Sequence, residues 1–257
     1  MHVTVKNVVQ VMEQIAPVSL AESWDNVGLL VGRESQPVKK LLLALDLTKE
    51  SAEQALKQGV DMIITHHPVI FTKINTLVET KWQQELLLSM IENKIAVYCG
   101  HTNYDCAELG VNHVLAAKLG SKNLEVFDEA SGLGRIGQVE PCTLEEFAQF
   151  VKEQLQCNYV TFADGGKEVC RVAVGGGACS DFISLALAKG CDTFVTGDVK
   201  YHAAQEAAFS GLNIIDAGHQ STERPAMVAL ADYLSDYFPK EELELLVAKE
   251  GLLLQVK

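Results

Sequence analysis

Residues 59–67 read Gly59-Val60-Asp61-Met62-Ile63-Ile64-Thr65-His66-His67, and residues 190–198 repeat the pattern without a gap as Gly190-Cys191-Asp192-Thr193-Phe194-Val195-Thr196-Gly197-Asp198. The match extends upstream through Ala55-Leu56 and Ala186-Leu187. In both copies a glycine ends a helical segment, and an apolar run then exits into polar residues. An internal repeat that alternates helix and strand predicts two similar α/β lobes.

A second motif, glycine-histidine-x-x-x-carboxylate, closes each copy of the repeat. The first copy ends in Gly100-His101-Thr102-Asn103-Tyr104-Asp105, and the second ends in Gly218-His219-Gln220-Ser221-Thr222-Glu223. Each motif follows a short apolar run, which predicts a strand with a histidine and a carboxylate at its exit. Because α/β proteins bind ligands at the carboxyl ends of their strands, we expect the two sets to meet in a cleft between the lobes.

Apolar spacing, capping residues and helix breakers predict the remaining elements. Thr48 and Gly59 bound one predicted helix, and Thr143-Leu144-Glu145-Glu146 is a capping box that opens another. Helices are predicted at residues 5–15, 49–58, 82–93, 109–119, 143–156, from about 180, and at 225–237. Strands are predicted within residues 22–32, at 40–47, 61–65, 94–99, 135–140, 158–163 and 169–174, and at the Leu-rich end of the segment 241–254.

A change in patterning marks the predicted division between the lobes. Residues 121–134 show little periodicity, and glycine and serine residues gather near the end of this segment. The first lobe is predicted to comprise residues 1–128 and 225–257, and the second lobe residues 129–224. The final segment is thereby predicted to return to the first lobe.

The composition is that of a globular protein, with 48% hydrophobic and 21% charged residues. No apolar run approaches the roughly 18 residues that would cross a bilayer, and the N-terminus lacks the layout of a signal peptide. The seven cysteines are an odd number without a Cys-x-x-Cys spacing, which favours a reducing compartment over a disulfide framework. We therefore expect a cytoplasmic protein without a membrane partner, in which most cysteines are small buried hydrophobes.

The charge balance restricts the class of partner. A formal net charge of −13 at pH 7 repels phosphate backbones, which argues against a nucleic-acid partner. Bound divalent cations would offset part of this charge and would create a local positive pocket. A small anionic substrate is therefore compatible with the acidic chain.

The histidines and acids at the predicted strand exits suffice for a metal site. They are His66, His67, His101, Asp105, His219 and Glu223. Imidazole combined with carboxylate suits zinc, iron, manganese or nickel rather than calcium. A carboxylate can bridge two ions about 3.5–4 Å apart, and Glu223 is preferred over Asp105 for this role because its side chain is longer. Purely structural roles are hard to sustain for so many histidines and acids at equivalent places in two repeats.

Five motifs occur in a fixed order that covers nearly the whole chain: Ser23-Trp24-Asp25-Asn26-Val27-Gly28-Leu29, Thr65-His66-His67-Pro68, Gly100-His101-Thr102-Asn103-Tyr104-Asp105, Thr196-Gly197-Asp198 and Gly218-His219-Gln220-Ser221-Thr222-Glu223. This set resembles the family of GTP cyclohydrolase 1 type 2 homologs, also called the NGG-one-interacting-factor-three family. The resemblance implies two α/β lobes, a dinuclear metal centre between them and a ring-shaped homohexamer. It carries the metal-ligand role over to His66, His67, Asp105, His219 and Glu223, and it leaves His101 as a residue that supports the ligands.

Two loop motifs have both a structural and a functional interpretation. Gly175-Gly176-Gly177 follows a predicted strand and precedes a helix, so its amides could cradle a phosphate. It matches no P-loop, and a tight turn is the preferred interpretation. Asp25-Asn26 is interpreted first as a turn and second as a pair that lines the cleft.

Candidates for acid–base catalysis follow from the same motifs. Asp198 stands where the first repeat has His67, and it is interpreted as a relic, as an acceptor that supports a ligand, or as a general base. Lys200 and His202 follow closely and are candidates for a substrate contact or a proton transfer. The catalytic candidates are His101, Asp198 and His202.

The preferred function is a metal-dependent hydrolase with two divalent ions that acts on a nucleotide or a related phosphorylated metabolite. The resemblance implies a GTP cyclohydrolase-like reaction, in which an activated water opens the purine imidazole ring at C8. The sequence itself offers no basic cluster for a triphosphate, since its longest basic run is Lys39-Lys40. The alternative is a non-enzymatic metal-binding or regulatory scaffold, or a metal-delivery protein. An open coordination position would favour catalysis.

Overall fold

The structure is a computed structural model that describes residues 2–253. Its strands are β1 (Gly28–Val31), β2 (Lys40–Ala44), β3 (Met62–Thr65), β4 (Ala96–Cys99), β5 (Lys122–Val126), β6 (Arg135–Cys142), β7 (Thr161–Ala163), β8 (Val169–Val174), β9 (Thr193–Thr196), β10 (Asn213–Asp216) and β11 (Glu244–Val247). Its α-helices are α1 (Val5–Ile15), α2 (Lys49–Gln58), α3 (Trp82–Glu92), α4 (Thr102–Cys106), α5 (Val111–Lys118), α6 (Leu144–Gln154), α7 (Ile183–Ala188), α8 (Tyr201–Phe209) and α9 (His219–Tyr237). The predicted α/β class is confirmed. Among residues 2–253, no helix combines the length and the apolar character that a membrane crossing requires.

The chain divides into two compact units. The first comprises the residues up to Ala107 together with Met227–Gly251, and the second comprises Glu108–Ala226 with the described residues that follow Gly251. This division differs from the predicted lobes for residues 108–128, 225–226 and 252–253, which belong to the second unit. Residues 108–128 do so because β5 pairs with β6 and α5 contributes to the core of the second unit. Residues 254–257 of the predicted first lobe lie outside the described part of the chain. The predicted lobe boundaries themselves stay a prediction.

The first unit is built on a five-stranded sheet in the order β1-β4-β3-β2-β11. β11, β2, β3 and β4 run parallel, and β1 is antiparallel to β4. All four residues of β3 are buried, as expected for a parallel strand that is covered on both faces. α2 begins after Thr48, whose side chain accepts from the amide of Ser51, and it ends at Gly59 in the left-handed conformation. The segment 241–254 provides β11 to this unit through its pairing with β2, but β11 covers Glu244–Val247 rather than the predicted Leu-rich end, where Leu252 and Leu253 lie in no strand and Leu254 lies outside the described residues.

The second unit is built on a six-stranded sheet in the order β5-β6-β8-β9-β10-β7. β8, β9 and β10 run parallel, and β5, β6 and β7 join by antiparallel pairing. Successive residues of β9 face opposite sides of the sheet. Val195 packs in the core that contains α5 and α6, whereas Phe194 packs in the core that contains α7 and part of α8. Helices therefore cover both faces of the parallel strands.

The repeat places equivalent elements at aligned positions. β3 and β9 begin and end at aligned residues. Gly59 and Gly190 both have a positive φ, of 65° and 71°, which a glycine after a helix adopts without strain. The carboxylates of Asp61 and Asp192 each accept two successive backbone amides near the start of the preceding parallel strand, at 2.8 and 3.0 Å for Asp61 and at 3.0 and 2.6 Å for Asp192. The aligned sequence therefore encodes the same local structure twice.

Two predictions about elements need correction. The last helix was predicted to begin at Pro225, but α9 begins at His219, directly after Gly218 with its positive φ of 81°. Pro225 lies inside α9 and removes one backbone amide from the helix. Residues 122–126 form β5, a short and largely exposed edge strand in the segment 121–134 that was predicted to be a boundary; its alternation is limited to Leu124 and Val126.

Candidate metal centre

The first two candidate ligands leave the end of β3. His66 is fully buried, and its Nδ1 lies 2.9 Å from the backbone oxygen of Gly100. The Nδ1 of His67 lies 2.9 Å from Oδ1 of Asp46, which follows the neighbouring strand β2. Carbonyl and ionised carboxylate oxygens only accept hydrogen bonds, so Nδ1 is the protonated nitrogen in both neutral rings. The lone pair of each ring then lies on Nε2, the nitrogen available to a metal.

His101, at the start of α4, also has its Nδ1 bonded to a protein oxygen. Its Nδ1 lies 2.9 and 3.0 Å from the two carboxylate oxygens of Asp25. The amide and the hydroxyl of Thr102 also donate to Asp25, at 3.1 and 2.5 Å. Burial alone would raise the pKa of Asp25, but the hydrogen bonds from His101 and Thr102 outweigh it and hold that pKa well below its ordinary range. Asp25 is therefore an ionised anchor for His101, rather than only a turn residue.

The three imidazoles of the first unit form one cluster. His66, His67 and His101 each offer a ring nitrogen, and these nitrogens all lie within 4.8 Å of one another. Asp105 lies one helical turn after His101 and is also buried, with its Oδ1 3.6 Å from Nε2 of His66. This part of the molecule brings together four of the candidate residues found in the sequence.

The other two candidate ligands lie in the second unit, on the first turn of α9. His219 and Glu223 are four residues apart on this helix, so they share one face, with Nε2 of His219 3.3 Å from Oε1 of Glu223. The Nδ1 of His219 lies 2.8 Å from Oδ2 of Asp198, which again leaves the lone pair on Nε2. Asp198 has a positive φ of 55°, which is uncommon for a residue other than glycine and turns the chain sharply after β9.

These donor sets fit a divalent cation. In two places a lone pair on Nε2 faces a carboxylate oxygen, at 3.6 Å between His66 and Asp105 and at 3.3 Å between His219 and Glu223. Two acceptors at such distances repel each other, and a cation that both coordinate removes the repulsion. Imidazole nitrogen with carboxylate oxygen is the ligand mixture of zinc, iron, manganese and nickel sites.

Gly177 makes room for the Glu223 carboxylate. A Cβ built on Gly177 would collide with Oε1 of Glu223 and would lie 3.2 Å from Nε2 of His219. The amides of the predicted glycine turn are also engaged inside the protein: Gly175 donates to Val195, Gly176 to Asn112 and Gly177 to Thr222. The tight-turn interpretation is therefore supported, and these amides do not form a phosphate cradle.

The remaining catalytic candidates divide by position. Asp198 contacts His219, so it lies at the site and orients an imidazole. His202 lies exposed on the first turn of α8, where its ring contacts Tyr201 with ring centroids 5.3 Å apart. Among the residues that the structure describes, His202 belongs to no cluster of three candidate metal-ligating atoms.

Asp46 is a site residue that the sequence reasoning missed. It lies just beyond the end of β2, and His67 follows the end of β3, so neighbouring parallel strands deliver the two side chains to the same edge of the sheet. A carboxylate two residues after a buried parallel strand occupies a usual place for ligand-binding residues, but its bond to His67 follows only once β2 and β3 are known to be neighbours.

The cysteines form no disulfide with one another. All seven are unpaired with one another, as the odd count and scattered spacing predict. Cys99 is buried and its Sγ donates to the backbone oxygen of His66 at 3.1 Å, while burial raises the pKa of this thiol well above its ordinary value. A neutral thiol that supports the backbone of a candidate ligand is a packing residue rather than a metal ligand.

Fold and donor sets together define an α/β protein with candidate metal-binding groups at strand ends. The chain matches the family model described as Duf34/NIF3 (NGG1p interacting factor 3) over residues 3–250, and it belongs to that family. A Clostridium perfringens protein named GTP cyclohydrolase 1 type 2 homolog is 32% identical over 252 residues, which cover 95% of this chain and 96% of the relative. A Streptococcus pneumoniae protein of the same name is 35% identical over 220 residues, covering 82% and 83%. The crystal structure of a Staphylococcus aureus hypothetical protein matches with a TM-score of 0.92 at 29% identity and covers 100% of both chains.

Proposed function

We propose that this protein is a metal-dependent hydrolase that holds two divalent ions through His66, His67, Asp105, His219 and Glu223. The observation that carries the proposal is the common state of the imidazoles. Each has its Nδ1 bonded to a protein oxygen, so that Nε2 is the nitrogen presented for coordination. The names of the relatives suggest a nucleotide or a related phosphorylated metabolite as the substrate.

Each residue of the proposed centre has a separate role, as a ligand or as a residue that orients a ligand. His66, His67 and Asp105 would serve one part of the centre, and His219 and Glu223 the other, with Glu223 as the bridging carboxylate. Asp46 and Asp198 orient His67 and His219. A divalent ion at such ligands lowers the pKa of a bound water and polarises a substrate oxygen.

His101 is the proposed proton carrier. One of its ring nitrogens lies in the cluster with His66 and His67, and Asp25 holds its Nδ1. A histidine anchored in this way can accept a proton at Nε2 and return it without leaving its place. Asp198 is the weaker candidate, because its carboxylate is already bonded to His219.

The quaternary structure belongs to the same proposal. The family resemblance implies a homohexamer, and we propose this assembly for the chain. Light scattering of the purified protein tests it, with six copies expected and a monomer contradicting it.

Metal analysis and an activity screen test the hydrolase together. His66→Ala and Glu223→Ala are each expected to lower bound metal while the protein stays folded, because His66 follows the end of β3 and Glu223 lies near the start of α9, and neither is an apolar side chain. His2→Ala, an exposed histidine outside these clusters, is the matched control and should keep its metal. Unchanged metal in both site variants would contradict the proposed ligands.

The activity arm separates an enzyme from a metal carrier. Metal-loaded protein is screened against nucleoside triphosphates and monophosphates, with Glu223→Ala as the blank. Hydrolysis that disappears in the blank supports the enzyme. Stoichiometric metal without turnover of any substrate would favour the alternative, a metal-binding scaffold or a metal-delivery protein.

A further inference from the structure

Two large aromatic side chains stand exposed beside the histidine cluster of the first unit. Trp24 is 59% exposed and Phe71 is 55% exposed. Their ring centroids are 6.0 Å apart with an interplanar angle of 69°, and the Trp24 ring lies 6.3 Å from the His101 ring at 77°. Exposed aromatic surface of this size next to a group of candidate ligands is typical of a ligand site rather than of an ordinary surface.

The backbone around both rings is held in place. Trp24 precedes Asp25, whose buried carboxylate accepts from His101 and Thr102. The side-chain amide of Asn26 donates to the backbone oxygen of Ile70, the residue before Phe71, at 2.5 Å. The two aromatic residues are thus tied to each other and to His101, so the rings are positioned before a ligand arrives.

We propose that Trp24 and Phe71 form a stacking site for a planar heteroaromatic ring of the substrate, and that this site holds the ring against the cluster of His66, His67 and His101. The inference rests on the proposed function and names the residues that would select its substrate. Stacking suits this chain because it needs no positive charge, and the chain carries a net charge of −13. Rings with an accessible π face stack on tryptophan and phenylalanine whatever their hydrogen-bonding groups.

The sequence supplies a direct probe of the site. The chain has two tryptophans, Trp24 and Trp82, and Trp82 is 66% exposed at the start of α3. In Trp82→Phe protein, the fluorescence therefore reports Trp24 alone. Guanosine monophosphate is expected to quench this fluorescence in the metal-loaded protein with saturable binding, whereas ribose 5-phosphate, which lacks a ring system, is expected to leave it unchanged.

Binding measurements identify the side chains. Trp24→Leu and Phe71→Leu are each expected to weaken guanosine monophosphate binding by about tenfold or more, measured by calorimetry. Trp82→Leu, at an exposed tryptophan at the start of α3, is the matched control and should bind as the parent does. Metal content should be the same in all three variants, because neither aromatic side chain supplies a ligand atom.

Three results would overturn the stacking site: unchanged affinity in Trp24→Leu, equal quenching by ribose 5-phosphate, or Trp24→Leu protein whose main change is dissociation of its oligomer. The last result would make the aromatic pair a contact between copies of the chain. Ring binding without any hydrolysis would end the proposed hydrolase and keep the stacking site. Hydrolysis with an unchanged KM in Trp24→Leu would end the stacking site and keep the proposed hydrolase.

Discussion

Neighbouring oxygen atoms set the state of each candidate ligand. Asp46 fixes the Nδ1 proton of His67, and Asp198 does so for His219. The side chain of Asp46 is 46% exposed, so its hydrogen bond to His67 adds little to the stability of the fold. Such a carboxylate acts mainly on the orientation and basicity of the imidazole, and metal affinity is the quantity that reports it.

Asp46→Ala is expected to weaken metal binding by about 10–100-fold without unfolding the protein, because His67 loses the acceptor that fixes its tautomer. Competition with a chelator measures the affinity, and a thermal melt checks the fold. Asp236→Ala removes an exposed carboxylate from the end of α9 and should bind metal as the parent does. Equal affinity in both variants would show that Asp46 does not support a ligand.

Gly177→Ala should remove metal by displacing Glu223. The new methyl group would collide with the carboxylate, and φ at this position is 69°. Gly190→Ala is the matched control, because its φ is 71° and nothing lies within 4 Å of its Cβ. Both variants should lose about 1–2 kcal/mol of stability from the left-handed backbone, measured by denaturant unfolding. Only Gly177→Ala should lose metal, and equal metal content in the two would contradict the packing described for Glu223.

The candidate ligands were predictable from the sequence, whereas most of their partners were not. His66, His67 and His219 stand at strand ends or after a glycine in a repeated motif, which is local information. The bond from Asp46 to His67 depends on two strands becoming neighbours in a sheet, and the bond from Asp25 to His101 joins residues that are distant in the sequence. Tertiary pairings of this kind leave no periodic trace in one sequence.

At the scale of elements, helix-capping residues, glycine and proline determined which element boundaries could be predicted. α1, α2 and β8 begin and end where apolar spacing and capping place them. A proline is favoured at the first position of a helix, so Pro225 predicts the start of α9 too late, whereas Gly218 sets the break. β5 is hard to predict because only Leu124 and Val126 alternate with polar residues in this short edge strand.

The capping box of α6 gives a pH-dependent prediction. Hydrogen bonds from the amide and the hydroxyl of Thr143 lower the pKa of Glu146. A carboxyl with a lowered folded-state pKa stabilises the fold above its unfolded pKa, near 4.5, and this contribution disappears as pH falls through the folded pKa. Glu146→Ala should therefore unfold at a lower temperature than the parent at pH 7, with the difference shrinking below pH 4.5. Glu145→Ala, on the same turn, removes a carboxylate that makes no capping-box bond and is the control for loss of charge. A difference for Glu146→Ala that is constant with pH would contradict the assignment.

At the scale of the whole molecule, the two copies of the repeat share their local backbone structure but differ in the side chains that follow their strands. Asp61 and Asp192 hold equivalent strands in both units. In the alignment of the two units, Asp46 corresponds to Gly177 and His67 corresponds to Asp198. The second unit places its imidazole on α9 instead, as His219, and uses Asp198 to orient it. The two units therefore reach the same pairing of imidazole and carboxylate from different positions.

The most direct test of the account is anomalous diffraction at the zinc absorption edge from crystals grown with zinc. The account predicts two anomalous peaks per chain, at coordination distance from Nε2 of His66, His67 and His219 and from carboxylate oxygens of Asp105 and Glu223. Zinc bound only at other residues, or no peak beside these nitrogens at saturating zinc, would contradict it.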